Sequence, residues 1–173
     1  MPMKEQPRFL PMSLQEARKL GIEQFDVILI SGDAYVDHPS FAAAIIGRVL
    51  WDAGYSVGII AQPDCKRDDD FRKLGRPRLF FGISSGNVDS LVNNLTPNLK
   101  RRSSDVYSPG GALLRPDRAT IVYTNKVHSI FPGVPIIEIH TSGILIFYRA
   151  GGRATIEEIS PTRRMQKIIL HGC

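Results

Sequence analysis

The chain has 173 residues, with 22 Lys+Arg against 17 Asp+Glu, 43% hydrophobic and 23% charged residues. This is ordinary globular composition, which speaks against wholesale disorder, collagen-like repeats and coiled coil, and one domain is the expectation at this length. Two cysteines, Cys65 and Cys173, make neither a disulfide framework nor a multi-cysteine metal site, so a reducing, cytoplasmic setting is expected.

No membrane association is expected. The longest uncharged apolar run, 41–47, falls far short of the ~20 residues of a membrane helix, and residues 1–10 contain no apolar signal core.

Residues 1–12 are Pro-rich and read as a surface wrap. Ser13 followed by Glu16 fits a capping box and predicts a helix over 13–20, stopped by Gly21. FDVILIS (25–31) is a β-branched apolar run that suits a strand buried on both faces. A polar loop follows, and Pro39 is expected to open a helix through Trp51, with Phe41, Ile45, Val49 and nearby alanines as its buried stripe. Asp52-Ala53-Gly54 ends that helix, and 55–62 is a second strand stopped by Pro63.

The rhythm then repeats. DDDFRKL is a short helix with its acids at the N-terminal end, where the helix dipole favours them. A third strand is expected at 77–84 and a helix after the Gly/Ser turn that follows it. Pro116-Asp117 starts another helix, Pro132-Gly133 ends it, and 134–140 is a fourth strand. Strands alternating with helices at this spacing predict an α/β fold, an open parallel sheet of flavodoxin or Rossmann type flanked by helices.

The basic excess is local: 98–118 and 150–173 together hold it all, and the rest of the chain is neutral. In 98–118 the run Lys100-Arg101-Arg102 is a candidate phosphate or RNA contact. A solvated connector is the first reading, because Tyr107 is the segment's only aromatic ring and single-strand binding wants interleaved rings. That argues against a nucleic-acid partner.

In an open parallel sheet the ligand site lies beyond the carboxyl ends of the strands, at a topological switch point. Two loops occupy such ends. One carries Gly32, Asp33, Tyr35, Asp37 and His38; the other carries Ser84, Ser85, Gly86, Asn87 and Asp89. Both place small and polar residues before a helix, which suits an anionic or polar small molecule, and the two loops are expected to lie side by side. Neither matches a dinucleotide or P-loop pattern. Cap and turn chemistry is the first reading of Asp33, Asp37 and His38, ligand contact the second and catalysis the third. No nucleophile elbow is present and no metal site is expected. His128 and His140 read as structural, Trp51 as core, and Cys65 as a lone exposed thiol.

RFLPMS (8–13), GDAYVDHPSF (32–41), GYSVGIIAQPD (54–64), GRPRLFFGISSGNVDSLVNN (75–94), KRRSSDVYSPGG (100–111) and RPDRATIVYTNKV (115–127) resemble, in order, the N-terminal region of the YgiQ-type radical SAM proteins. The resemblance runs from residue 8 to about 137. It implies, for the full-length family, a [4Fe-4S] cluster held by a C-x-x-x-C-x-x-C motif, S-adenosylmethionine, and an N-terminal domain like the cobalamin-binding domains of related enzymes. This chain has no such cysteine triplet and no D-x-H-x-x-G motif, since Asp37 and His38 are adjacent and Phe41 stands where the glycine would. The expectation is therefore an accessory domain, 13–140, that is inactive without a radical SAM core, carries no cofactor itself, and binds cobalamin only without histidine ligation. A free-standing small-ligand module and an RNA-contacting module are the alternatives. After Ile137 the family's Gly-Gly-Ile-Glu-Ala-Ser turn is replaced by Glu138-Ile139-His140-Thr141-Ser142-Gly143. The tail 141–173 is expected to be divergent, a frameshift product in which 143–148 could still add as a strand while 150–173 is loosely held.

Overall fold

The computed structural model describes residues 7–139 and the backbone of 145–148 and 155–157. The first helix, α1 (Leu14–Lys19), carries the full capping box. Ser13 Oγ accepts from the Glu16 amide at 3.2 Å, and the Glu16 carboxylate accepts from the Ser13 amide at 3.1 Å.

Four parallel strands form the centre: β1 (Val27–Ser31), β2 (Val57–Ala61), β3 (Phe80–Ser84) and β4 (Ile136–Ile139), in the order β2-β1-β3-β4. All five residues of β1 and all five of β3 are buried. That is the reason their sequences are continuously apolar rather than alternating. Helix α2 (Ala42–Asp52) packs on β1 and β2; α5 (Ala119–Ile130) packs on β3 and β4 and against α3 (Asp68–Arg72). The short α4 (Ser90–Asn94) and a 3-10 turn at Pro109–Gly111 complete the described helices. None of these helices is long and apolar enough to cross a membrane.

Two expectations about α2 are corrected. Its helical backbone begins at Ala42, because His38–Phe41 form turns instead: the Phe41 amide bonds His38 O and the Ser40 amide bonds His38 Nδ1. The buried side is Ala43, Ala44, Gly47, Leu50 and Trp51, while Ile45 and Val49 are 45% and 56% exposed. The cause is closeness. A Cβ on Gly47 would fall 2.3 Å from Leu10 Cδ1, so this contact has room only for small residues. The alanines expected in the stripe, and Trp51 expected in the core, are inside; Ile45 and Val49 lie on the opposite face.

The sheet does not stop at four strands. β5 (Leu145–Tyr148) pairs antiparallel with β4, and β6 (Thr155–Glu157) pairs antiparallel with β5. The expected strand over 143–148 is thus present in the backbone of 145–148, on an otherwise parallel sheet. Residues 155–157, part of the stretch expected to be loosely held, pair instead with β5; His140 and the expectations for the rest of 141–173 lie outside the described residues.

Candidate functional site

With β1 and β3 adjacent, their two carboxyl-end loops meet, as the order 2-1-3 requires. Each strand ends in a serine that turns the chain: Ser31 Oγ accepts from the Asp33 amide, and Ser84 Oγ from the Gly86 amide, both at 3.1 Å. The Gly32 amide donates to Ser84 O at 3.0 Å, and the Asn87 amide to Asp33 Oδ2 at 2.6 Å. Glycine is needed at both crossings. A Cβ at 32 would sit 2.1 Å from Ser85 O, and one at 86 would sit 2.1 Å from Asp33 Oδ1, where φ is already +112°.

The centre of the contact is Arg115, which the sequence reading passed over. Its guanidinium pairs with Asp33 and lies 3.5 Å from Asp105 Oδ2, all three side chains being buried. Nη1 also donates to Ser85 O and Val88 O, both at 3.0 Å, and the group lies 5.6 Å from the centre of the Tyr107 ring. Burial lifts the Asp33 carboxyl above its ordinary range, against the pull of the Asn87 amide and the Arg115 charge. The reading of 98–118 as a solvated connector is therefore corrected for its second half. Asp105, Ser108 and Arg115 are buried, the Ala34 amide donates to Tyr107 O at 2.9 Å, and Gln62 Nε2 reaches both Gly32 O and Ser108 Oγ. This segment lies over the ends of β1, β2 and β3, in the crevice where a ligand would be sought. One sequence signal pointed to it: Arg115 sits alone between Leu113-Leu114 and Pro116.

The remaining candidates divide. Asp37 forms an ion pair with Arg48, whose Nη1 and Nη2 also donate to Pro7 O and Arg8 O; the pair fastens the N-terminal segment to α2. Hydrogen bonding to Asp37 raises the Arg48 pKa further. Tyr35 Oη accepts from the Leu10 amide at 3.1 Å, and burial raises its phenol pKa. His38 closes the turn before α2, and Asp89 caps α4 through the Leu91 amide at 2.9 Å. Of the cap and turn roles read first for Asp33, Asp37 and His38, only His38 takes one, because Asp33 and Asp37 are engaged in ion pairs with Arg115 and Arg48.

A cleft remains between the two loops and α2, lined by Asp33, Ala34, Tyr35, Val36, Phe41, Ala42, Ala43, Gly86 and Asn87 among others. Phe41 at the N-cap of α2 supplies no side-chain acceptor, so the helix presents uncapped N-terminal amides where Ala42 and Ala43 line the cleft. Its cavity volume is about 10 Å³, room for about one water, far below the ~300–1,000 Å³ of small-molecule sites.

Lys100, Arg101 and Arg102 are exposed on a turn held by bonds from the Thr96 amide to Lys100 O and the Arg102 amide to Asn94 O; Arg101 pairs with Asp117 at 2.9 Å. His128 is exposed, the basic residue in the last turn of α5. Cys65 is half-buried and free. The Tyr123 hydroxyl is buried and unpartnered among the described residues, and burial pushes its pKa up.

The described residues contain no group of three or more His, Cys, Asp or Glu able to hold a metal ion. Two cysteines in the whole sequence cannot supply the three thiolates of a site-differentiated [4Fe-4S] cluster. A corrin ring does not fit either, because Tyr107, Ser108 and Arg115 fill the strand-end crevice and leave only the small cleft.

Comparison with known proteins agrees with the resemblance read from the sequence. Residues 9–144 match the family model described as Radical SAM N-terminal. A UPF0313 protein of Methanosarcina acetivorans is 58% identical over 131 residues, covering 75% of this chain and 18% of that protein. UPF0313 proteins of Thermotoga maritima and Pseudomonas aeruginosa are 57% and 55% identical over 130 residues, or 23% and 17% of their own lengths. The chain thus spans less than a quarter of the relatives it matches. No solved structure is significantly similar to it.

Proposed function

The chain belongs to the Radical SAM N-terminal family of the UPF0313 proteins, and from that premise we propose that it is an accessory α/β domain, without catalysis of its own, that contributes binding surface to a radical SAM core. The observation that carries this reading is the cysteine count. The match is long and continuous, yet the residues present cannot anchor the cluster on which S-adenosylmethionine is cleaved. The test is anaerobic iron–sulfur reconstitution of the purified chain followed by dithionite and S-adenosylmethionine. No 5′-deoxyadenosine is expected, with the full-length Methanosarcina relative treated in parallel; turnover by this chain would overturn the reading.

A second reading has one feature in its favour, the uncapped start of α2 in a cleft with the Gly86-Asn87 turn. It makes the domain a binder of a small polar or anionic molecule, and a thermal-shift screen of such compounds tests it. Full retention of unfolding temperature across the screen would remove it.

A further inference from the structure

Strand β2 is the terminal strand of the sheet and pairs with β1 alone among the described strands. The Ile59 amide points away from β1 and donates to Pro11 O at 2.9 Å. Alternation along a strand puts the main-chain groups of Val57 and Ala61 on that same free side. The strand, VGIIA, is uncharged and its first four residues are buried. A bare, uncharged edge of this kind is a template for pairing with another chain.

Residues 7–12 lie against this edge and are fastened there. Leu10, 1% exposed, sits between α2 and the sheet: a Cβ on Gly47 would come within 2.3 Å of Leu10 Cδ1, with Leu29 Cδ1 and Ile59 Cδ1 3.6 and 3.7 Å from the same point. Arg48, itself paired with Asp37, donates to Pro7 O at 2.6 Å and to Arg8 O at 2.8 Å. The Leu10 amide is given to Tyr35 Oη and the Met12 amide to the Glu16 carboxylate at 2.7 Å. Pro7 and Pro11 have no N–H at all. The segment therefore bonds inwards and keeps few main-chain groups for a further strand. It ends the sheet instead of extending it, and proline and a covering loop are both means by which proteins close a sheet edge.

We infer that residues 7–12 are a guard strap, and that the β2 edge beneath them is a latent pairing surface whose occupant, once the strap leaves, is the β2 edge of a second copy of this chain. A second copy is the occupant because the edge is complementary to itself. Two β2 strands related by a two-fold axis at Ile59 run antiparallel and set Val57 opposite Ala61, so each outward donor meets an outward acceptor. The inference stands apart from the accessory-domain reading.

The test compares the full chain with a chain shortened to begin at Met12 and with Gly47→Ala, which fills the Leu10 seat while strengthening helix propensity. Circular dichroism and Trp51 emission check the fold. Sedimentation velocity gives the mass across about a hundredfold range of concentration, and nuclear magnetic resonance gives hydrogen exchange at the Ile59 amide. In the full chain that amide is expected to exchange slowly, at a rate independent of concentration. In both variants the mass should rise towards a dimer. Ile59 exchange should be about tenfold faster or more at the dilute end and should slow as the dimer forms. A peptide of residues 7–12, added in excess to the shortened chain, should restore the monomer and the slow exchange. If one variant unfolds, the other carries the test. A folded variant that stays monomeric would overturn the proposal, as would association that leaves Ile59 exchange unchanged. Pairing through Ile59 in the full chain would show that the strap is no guard. Loss of fold in both variants would make the strap part of the core and would overturn the proposal too.

Discussion

Replacing Arg115 by Met removes the one cation that faces two buried carboxylates. The side chain is fully buried, as are those of Asp33 and Asp105, so water cannot take over. The variant also frees the Ser85 and Val88 carbonyls. Breaking a buried ion pair from one side costs about 3–5 kcal/mol. With a urea slope of about 2 kcal/mol/M, a loss of about 4 kcal/mol moves the midpoint down by about 2 M. The readout is Trp51 emission, because the chain has one Trp and it is 3% exposed. The pH dependence has a definite sign. The Asp33 carboxyl is already raised in the folded state, and losing Arg115 raises it further. The folded state then holds more protons than the unfolded one, so the penalty is full above the folded pKa and shrinks as pH falls through it. Arg115→Met should therefore lose less stability at pH 5 than at pH 7.5, and adding Asp33→Asn and Asp105→Asn should recover part of the loss. A loss below about 1 kcal/mol at pH 7.5 would refute the assignment of Arg115 as the organising cation.

Gly86→Ala combines a left-handed φ of +112° with a Cβ 2.1 Å from Asp33 Oδ1; a loss of at least about 2 kcal/mol is expected in the same urea titration, and a neutral result would mean the two loops do not cross so closely. Asp68 is held below the usual carboxylate range by its hydrogen bond with Lys126. A lowered folded pKa gives stability that is present above the unfolded value and lost as pH falls through the folded one. Asp68→Asn should accordingly flatten the acid limb of the stability curve between pH 5 and pH 3, measured by urea titration at both values, and an unchanged slope would show the pair to be inactive in solution.

The fold was legible because its signals are local. The Ser13/Glu16 box, the apolar runs at 27–31 and 80–84, and the adjacency of the β1 and β3 loops each follow from neighbours in sequence or from the crossover rule. The inner face of α2 was legible only in its alanines and Trp51, because Gly47 is small for a reason that only Leu10, far away in the chain, supplies. Arg115 was missed for the same cause. Its partner Asp33 is 82 residues distant, and a charge count over 98–118 treats a buried guanidinium and the exposed Lys100 alike. The candidate loops were found, but most of their polar side chains proved to be fastening the structure.

That last point limits what any ligand can use. Asp33 is committed to Arg115 and Asn87, Asp37 to Arg48, and Asp89 to the start of α4. The cleft keeps only the Asn87 side chain, which has no hydrogen bond among the described residues, the α2 amides, and an apolar rim of Val36 and Phe41.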